Sequence, residues 1–214
     1  MIEKYSLSNF VLFVAALFSF IPSFAGTDTP GEEIRATVDK VLIILKDPSL
    51  TKEDRRRQLR EAVYPRFHFQ EMTARSLGLH WKGLSPKERE EFEKVFVDLL
   101  QDAYAGRIES YHGEAVKYAG ETVDGSYAEV KTIVPAANKK PELSVGYKLL
   151  RTDGDWKIYD VVIENISLIN NYRAQFDRII SRSSFEELLR RMREKQPKLK
   201  AKGAMVTPRD MLGP

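Results

Sequence analysis

The stretch Trp156–Phe176, WKIYDVVIENISLINNYRAQF, reads as one strand running straight into one helix, and the remaining elements have to be arranged around it. By alternation, Trp156, Ile158 and Val162 fall on one face, and Tyr159, Val161 and Ile163 on the other. A strand apolar on both faces is covered on both sides, which makes it an interior strand. Glu164-Asn165 interrupts the run. Leu168, Ile169, Tyr172, Phe176, Ile179 and Ile180 then recur at the three- and four-residue spacing of a helix stripe. Ser167 is placed to cap that helix, its hydroxyl accepting from a first-turn amide.

Upstream, Glu33–Lys46 repeats Ile34, Val38, Val41, Leu42 and Leu45 at helical spacing until Asp47-Pro48. Thr51-Lys52-Glu53-Asp54 opens a second, basic helix with Arg55, Arg56, Arg57 and Arg60, either a solvated face or a docking surface. Phe67–Leu77 is a third helix, with Gly78 where a left-handed C-terminal residue is needed. Ser85-Pro86-Lys87-Glu88 starts the longest helix, reaching about Tyr111 with an unbroken apolar stripe. The period then changes to two. Strands are predicted at Ala115–Ala119, Tyr127–Val134 and Leu143–Arg151, and the fourth begins at Trp156. Asp124-Gly125-Ser126 and Asp153-Gly154 supply hairpin turns. Ser183-Ser184-Phe185-Glu186 opens a last helix. The expected class is α+β: a four-stranded antiparallel curved sheet packed by the long helix, with further helices at both ends. The long helix is expected to close the concave side of the sheet.

Residues 1–25 read as a cleaved signal peptide: Lys4, an apolar core Phe10–Ile21, Pro22, and Ser23-Phe24-Ala25 before the scissile bond. The alternative, a membrane anchor, requires about 20 apolar residues, more than this run supplies. Residues 26–195 form the folded domain, and 196–214 a basic, proline-containing tail expected to be disordered. The chain has no cysteine, so its stability comes from an ordinary core without disulfides. A short signal on such a chain points to a periplasm. The net charge of +3 is too small to argue for nucleic acid.

Motifs for chemistry are sparse. His68, His80 and His112 sit on separate elements without a second ligand at metal spacing. There is no phosphate-binding glycine loop and no nucleophile elbow. Asp160 is the best catalytic candidate: a carboxylate among apolar neighbours on an interior strand, with Tyr147 as a hydrogen-bonding neighbour. The alternative is a structural group, paired with an arginine such as Arg173 or lying at the sheet edge. The aromatic surplus (Phe92, Phe96, Tyr104, Tyr147, Trp156, Tyr172 and Phe176 among others) is either plain core or, collectively, the lining of an apolar cavity.

Five ordered fragments carry a resemblance: Phe69-x-x-Met72 through Leu77-Gly78-x-x-Trp81, then Leu84-Ser85-x-x-Glu88-Arg89-x-x-Phe92, then Phe96 with Leu99-Leu100 and Tyr104, then Trp156–Val161, and last Ile166–Phe176. Together they resemble the MlaC, or toluene-tolerance auxiliary, family of periplasmic phospholipid carriers. A sister group linked to hopanoid biosynthesis is similar. The resemblance implies a cone like that of nuclear transport factor 2, with acyl chains buried between sheet and helices. It implies phospholipid as cargo, no other cofactor, and docking to an inner-membrane ABC transporter complex and an outer-membrane lipoprotein complex. On that reading the chain is not an enzyme. The expected pocket draws on Leu77, Trp81, Phe92, Phe96, Leu99, Leu100, Tyr104 and Ile108 from the helices. From the strands it draws on Val130, Val134, Val145, Tyr147, Leu149, Ile158 and Val162, and from the following segment on Ile166, Leu168, Tyr172 and Phe176. The rival readings are a small-molecule enzyme with Asp160 as base, and an accessory protein whose apolar face is a protein interface.

Overall fold

The computed structural model describes residues 29–109, 111, 115–135 and 142–202. The predicted signal peptide, His112, and the tail beyond 202 lie outside them. The helices are α1 (Pro30–Lys46), α2 (Lys52–Val63), α3 (Phe69–Leu77), α4 (Pro86–Glu109), α5 (Leu168–Arg182) and α6 (Phe185–Lys202). The strands are β1 (Lys117–Asp124), β2 (Tyr127–Val134), β3 (Leu143–Thr152), β4 (Asp155–Ile163) and β5 (Ile166–Ser167). The sheet is antiparallel, curved and unclosed, in the order β1-β2-β3-β4-β5. One outer edge belongs to β1, where Lys117, Glu121 and Asp124 are exposed and a bulge shifts the register between Tyr118 and Gly120. Among the described residues, no helix is long and apolar enough to cross a membrane.

Local chemistry sets the boundaries. Thr29 caps α1 reciprocally with Glu32, and Ser85 does the same for α4 with Glu88. Gly78 closes α3 at φ +57°, with Arg173 packed where a side chain would stand. The β3–β4 turn places Asp153 and Gly154 at positive φ. So does the next one: Glu164 and Asn165 sit at φ 49° and 63° and fold the chain into a tight hairpin. That hairpin adds β5, a fifth strand beyond the four expected. Helix α6 continues to Lys202, past the position where the apolar pattern fades and the tail is predicted to begin.

Two departures matter for function. First, β4 carries a bulge: Lys148 pairs with Asp160 but Leu149 pairs with Ile158, leaving Tyr159 as the extra residue. Strict alternation therefore fails halfway. Trp156 and Ile158 share a face with Val161 and Ile163, while Val162 turns to the other face with Asp160. Second, α4 does not close the sheet. Its stripe, from Phe92 to Ala103, packs against α5 and α6 in a core containing Tyr172, Phe176, Leu188 and Met192. Phe96 meets Tyr172 and Phe176 edge-on at 5.0 and 5.5 Å between ring centres. Helix α1 covers the sheet instead. Ile34 and Val38 lie on Val130, Leu149, Trp156 and Ile158, and the second half of α1 packs with α2 and Ile108.

Asp160 joins the two halves. It is 4% exposed; the Ser167 hydroxyl donates to one oxygen at 2.5 Å and the Ile169 amide to the other at 3.0 Å. Ser167 in turn accepts from the Asn170 amide, so strand β4 holds the start of α5 through a doubled cap. The expected partners are not used. Tyr147 lies on the opposite sheet face, and Arg173 donates to the Arg75 carbonyl.

Two stability tests follow. Asp160→Ala strands two donors and is expected to lower unfolding free energy by about 2–3 kcal/mol in a urea titration. Phe96→Ala empties the centre of the helical core and is expected to cost about 3–5 kcal/mol. A loss below about 1 kcal/mol for Phe96→Ala would mean that α4 is not centrally packed.

Candidate functional site

The α1-facing side of the sheet is built from cross-strand rows. The first is Val123–Ala128–Leu149–Ile158. The second is Glu121–Val130–Tyr147–Val161. The third is Tyr118–Thr132–Val145–Ile163–Ile166. A last pair, Val134–Leu143, ends the sheet. Coverage falls from the centre of this face to its margins. Leu149, Ile158, Val130, Thr132 and Val145 are buried, whereas Val134 and Ile163 are only half-buried, Leu143 is 38% exposed, Val123 54% and Ile166 60%. An apolar surface is thus covered at its centre and open along the margin formed by Val134, Leu143, Ile163 and Ile166. Large apolar groups left together in water mark binding surfaces more often than scattered ones do.

Polar groups in this surface are few. Thr132 is fully buried, its hydroxyl donating to the Val145 carbonyl at 3.2 Å. Burial raises the pKa of the Tyr147 phenol, opposed by a hydrogen bond with Thr132. Burial pushes Tyr118 up to about 12, so it too is a neutral hydroxyl at physiological pH.

The expected pocket residues divide into three groups. Leu77, Phe92, Phe96, Leu99, Leu100, Leu168, Tyr172 and Phe176 belong to the helical core, with Trp81 and Tyr104 packed against it. The Trp81 ring lies under the Arg89 guanidinium at 5.1 Å. Val130, Leu149 and Ile158, with Tyr147, belong to the sheet–α1 cluster. Val145, Val134 and Ile166 lie on the same sheet face, and Ile108 sits under α1 and α2. Val162 is on the far face, a correction caused by the β4 bulge. Alternation misses Val161 and Ile163 for the same reason. Ile34 and Val38 are legible as a helix stripe but not as the cover of the sheet.

The other candidates have structural work. His68 caps α3, its Nδ1 accepting from the Glu71 amide at 3.2 Å. His80 meets Asp177 at 2.8 Å. Both Asp160 oxygens are occupied by Ser167 and Ile169. The basic run of α2 is largely engaged within the chain. Arg55 donates to the Asp47 carbonyl, Arg56 is paired with Glu109, and Arg57 with Asp54. The groove between α3 and α4, about 780 Å³, is lined by Glu71, Arg89, Glu90, Glu93 and Lys94 beside Phe69 and Trp81. Such charge suits water or peptide better than hydrocarbon.

Comparison with known proteins places this geometry. A solved phospholipid-binding protein from Ralstonia solanacearum, in complex with a phospholipid, shares the fold at a TM-score of 0.72 and 24% identity, covering 80% of this chain and 99% of that one. The intermembrane phospholipid transport system binding protein MlaC of Haemophilus influenzae is 22% identical over 140 residues, covering 64% of this chain and 65% of that protein. The family model described as MlaC protein matches residues 35–194, which take in α2 to α5, the sheet and most of α1 and α6. The chain belongs to the MlaC family.

Proposed function

We infer that this chain is a carrier that holds the acyl chains of a phospholipid on the α1-facing side of its sheet and ferries the lipid between membrane complexes. The observation that carries the reading is the apolar face, buried at its centre under α1 and open at Val134, Leu143, Ile163 and Ile166. An acyl chain left in water costs about 0.8 kcal/mol per CH₂, so a lipid carrier needs a continuous apolar surface with an opening at one end. The lipid-bound Ralstonia structure and the name of the Haemophilus relative support the same ligand class. The geometry favours binding over catalysis, because Asp160 is spent on capping α5. The predicted export signal supports a periplasmic carrier. There it would receive and deliver lipid at an inner-membrane ABC transporter complex and an outer-membrane lipoprotein complex.

Mass spectrometry of the mature chain, purified without detergent and extracted with solvent, is expected to find about one phospholipid per protein. A hopanoid instead would assign it to the hopanoid-linked relatives. A folded protein without lipid would remove the carrier reading. Val145→Trp places an indole in the third row and is expected to lower the bound lipid several-fold, while Leu99→Trp in the helical core disturbs stability instead. Unchanged lipid content in Val145→Trp would move the cavity off this face.

A further inference from the structure

We propose that Arg35 of α1 and Tyr118 of β1 clamp the phosphodiester of the cargo at the rim of the apolar face. The proposal rests on the carrier reading and adds a headgroup contact to it. Tyr118 opens the third cross-strand row, the row that ends at Ile163 and Ile166. Its ring packs into the sheet–α1 cluster, but its buried hydroxyl has no hydrogen-bond partner among the described residues. Native proteins rarely leave such a group unmet.

Directly on that ring, 3.8 Å from its centre, lies the Arg35 guanidinium. Arg35 is exposed and makes no ion pair among the described residues, whereas Arg56, Arg57, Arg66, Arg75 and Arg190 each hold a carboxylate. One unpaired fork of donors and one unmet hydroxyl therefore share a single contact. A phosphodiester carries one negative charge and two free oxygens. It can accept from the phenol through one and from the guanidinium through the other. The phenol stays protonated, and so a donor, because burial holds it far above neutral pH. Asp39, one turn along α1, and Tyr147 also face Tyr118. Asp39 is solvated and exposed, so its repulsion is screened more than the direct guanidinium contact. Acyl chains lying over Val145 toward Val130 would leave the phosphate at this rim.

The test offers the full mature chain vesicles containing equal amounts of phosphatidylglycerol and a diacylglycerol with the same chains. Bound lipid is then quantified by mass spectrometry. The wild-type chain is expected to enrich the phospholipid about tenfold. Tyr118→Phe and Arg35→Ala are each expected to reduce that enrichment at least about threefold, with total lipid per protein unchanged. Arg35 is exposed, so its variant tests the idea even if Tyr118→Phe folds poorly. An unchanged lipid ratio in Arg35→Ala overturns the clamp while leaving the carrier intact. A wild-type chain that takes up neither lipid removes the carrier reading, and the clamp with it. If millimolar inorganic phosphate raises the melting temperature of the lipid-free chain, and Arg35→Ala abolishes that shift without altering the lipid ratio, the site serves soluble phosphate and the headgroup proposal fails.

Discussion

The extra residue in β4 governs how the two halves of this molecule are joined. With Tyr159 bulged out, the strand presents Trp156, Ile158, Val161 and Ile163 to α1, and Asp160 to the helices. Without that slip, Val161 and Ile163 would leave the α1-facing surface, because one residue of register exchanges the two faces of a strand. The same slip lets a buried carboxylate meet Ser167 and the first amides of α5. Helix α5 then supplies Tyr172 and Phe176 to the helical core. One local irregularity thus serves both the α1-facing surface and the principal core.

Those two regions have different physical tasks. The core of α3 to α6 is filled by interlocked aromatic rings, several of them wholly inaccessible, and resembles the interior of any well-packed bundle. The sheet under α1 is packed at its centre and left open at its margin. On the proposed carrier function, the fold has to persist whether or not lipid is bound. Concentrating the packing in the bundle allows the sheet face to remain incompletely satisfied without endangering the whole. Helix α1 meets the body through Ile34 and Val38 on the sheet, the Arg66–Glu33 pair, and the Gly31 amide donating to Glu121.

Much of this architecture is legible in the sequence. Ser167, Ser85 and Thr51 are readable as caps because their chemistry acts within a few residues. Gly78 and the Asp153-Gly154 turn announce backbone conformations that few residues adopt. The α+β order and the family resemblance are legible too, since ordered fragments from Phe69 to Phe176 carry them. What was not legible depends on distant partners. A bulge leaves no mark in the apolar pattern, so Val162 is misassigned and Val161 missed. The stripe of α4 announces burial but not against what; the sheet and α5 are equally apolar candidates, and ring-to-ring fit decides for α5 and α6. Arg35 and Tyr118 are 83 positions apart in sequence, and only the fold stacks one on the other.

The outer edge of β1 has a consequence of its own. A row of free amides and carbonyls invites another chain to add a strand. On this strand, charged Lys117, Glu121 and Asp124 stand exposed, and the bulge before Gly120 breaks the regular spacing such an intruder would need. Beside an apolar face left partly open, that irregular, charged border stands against the onset of fibrous self-association.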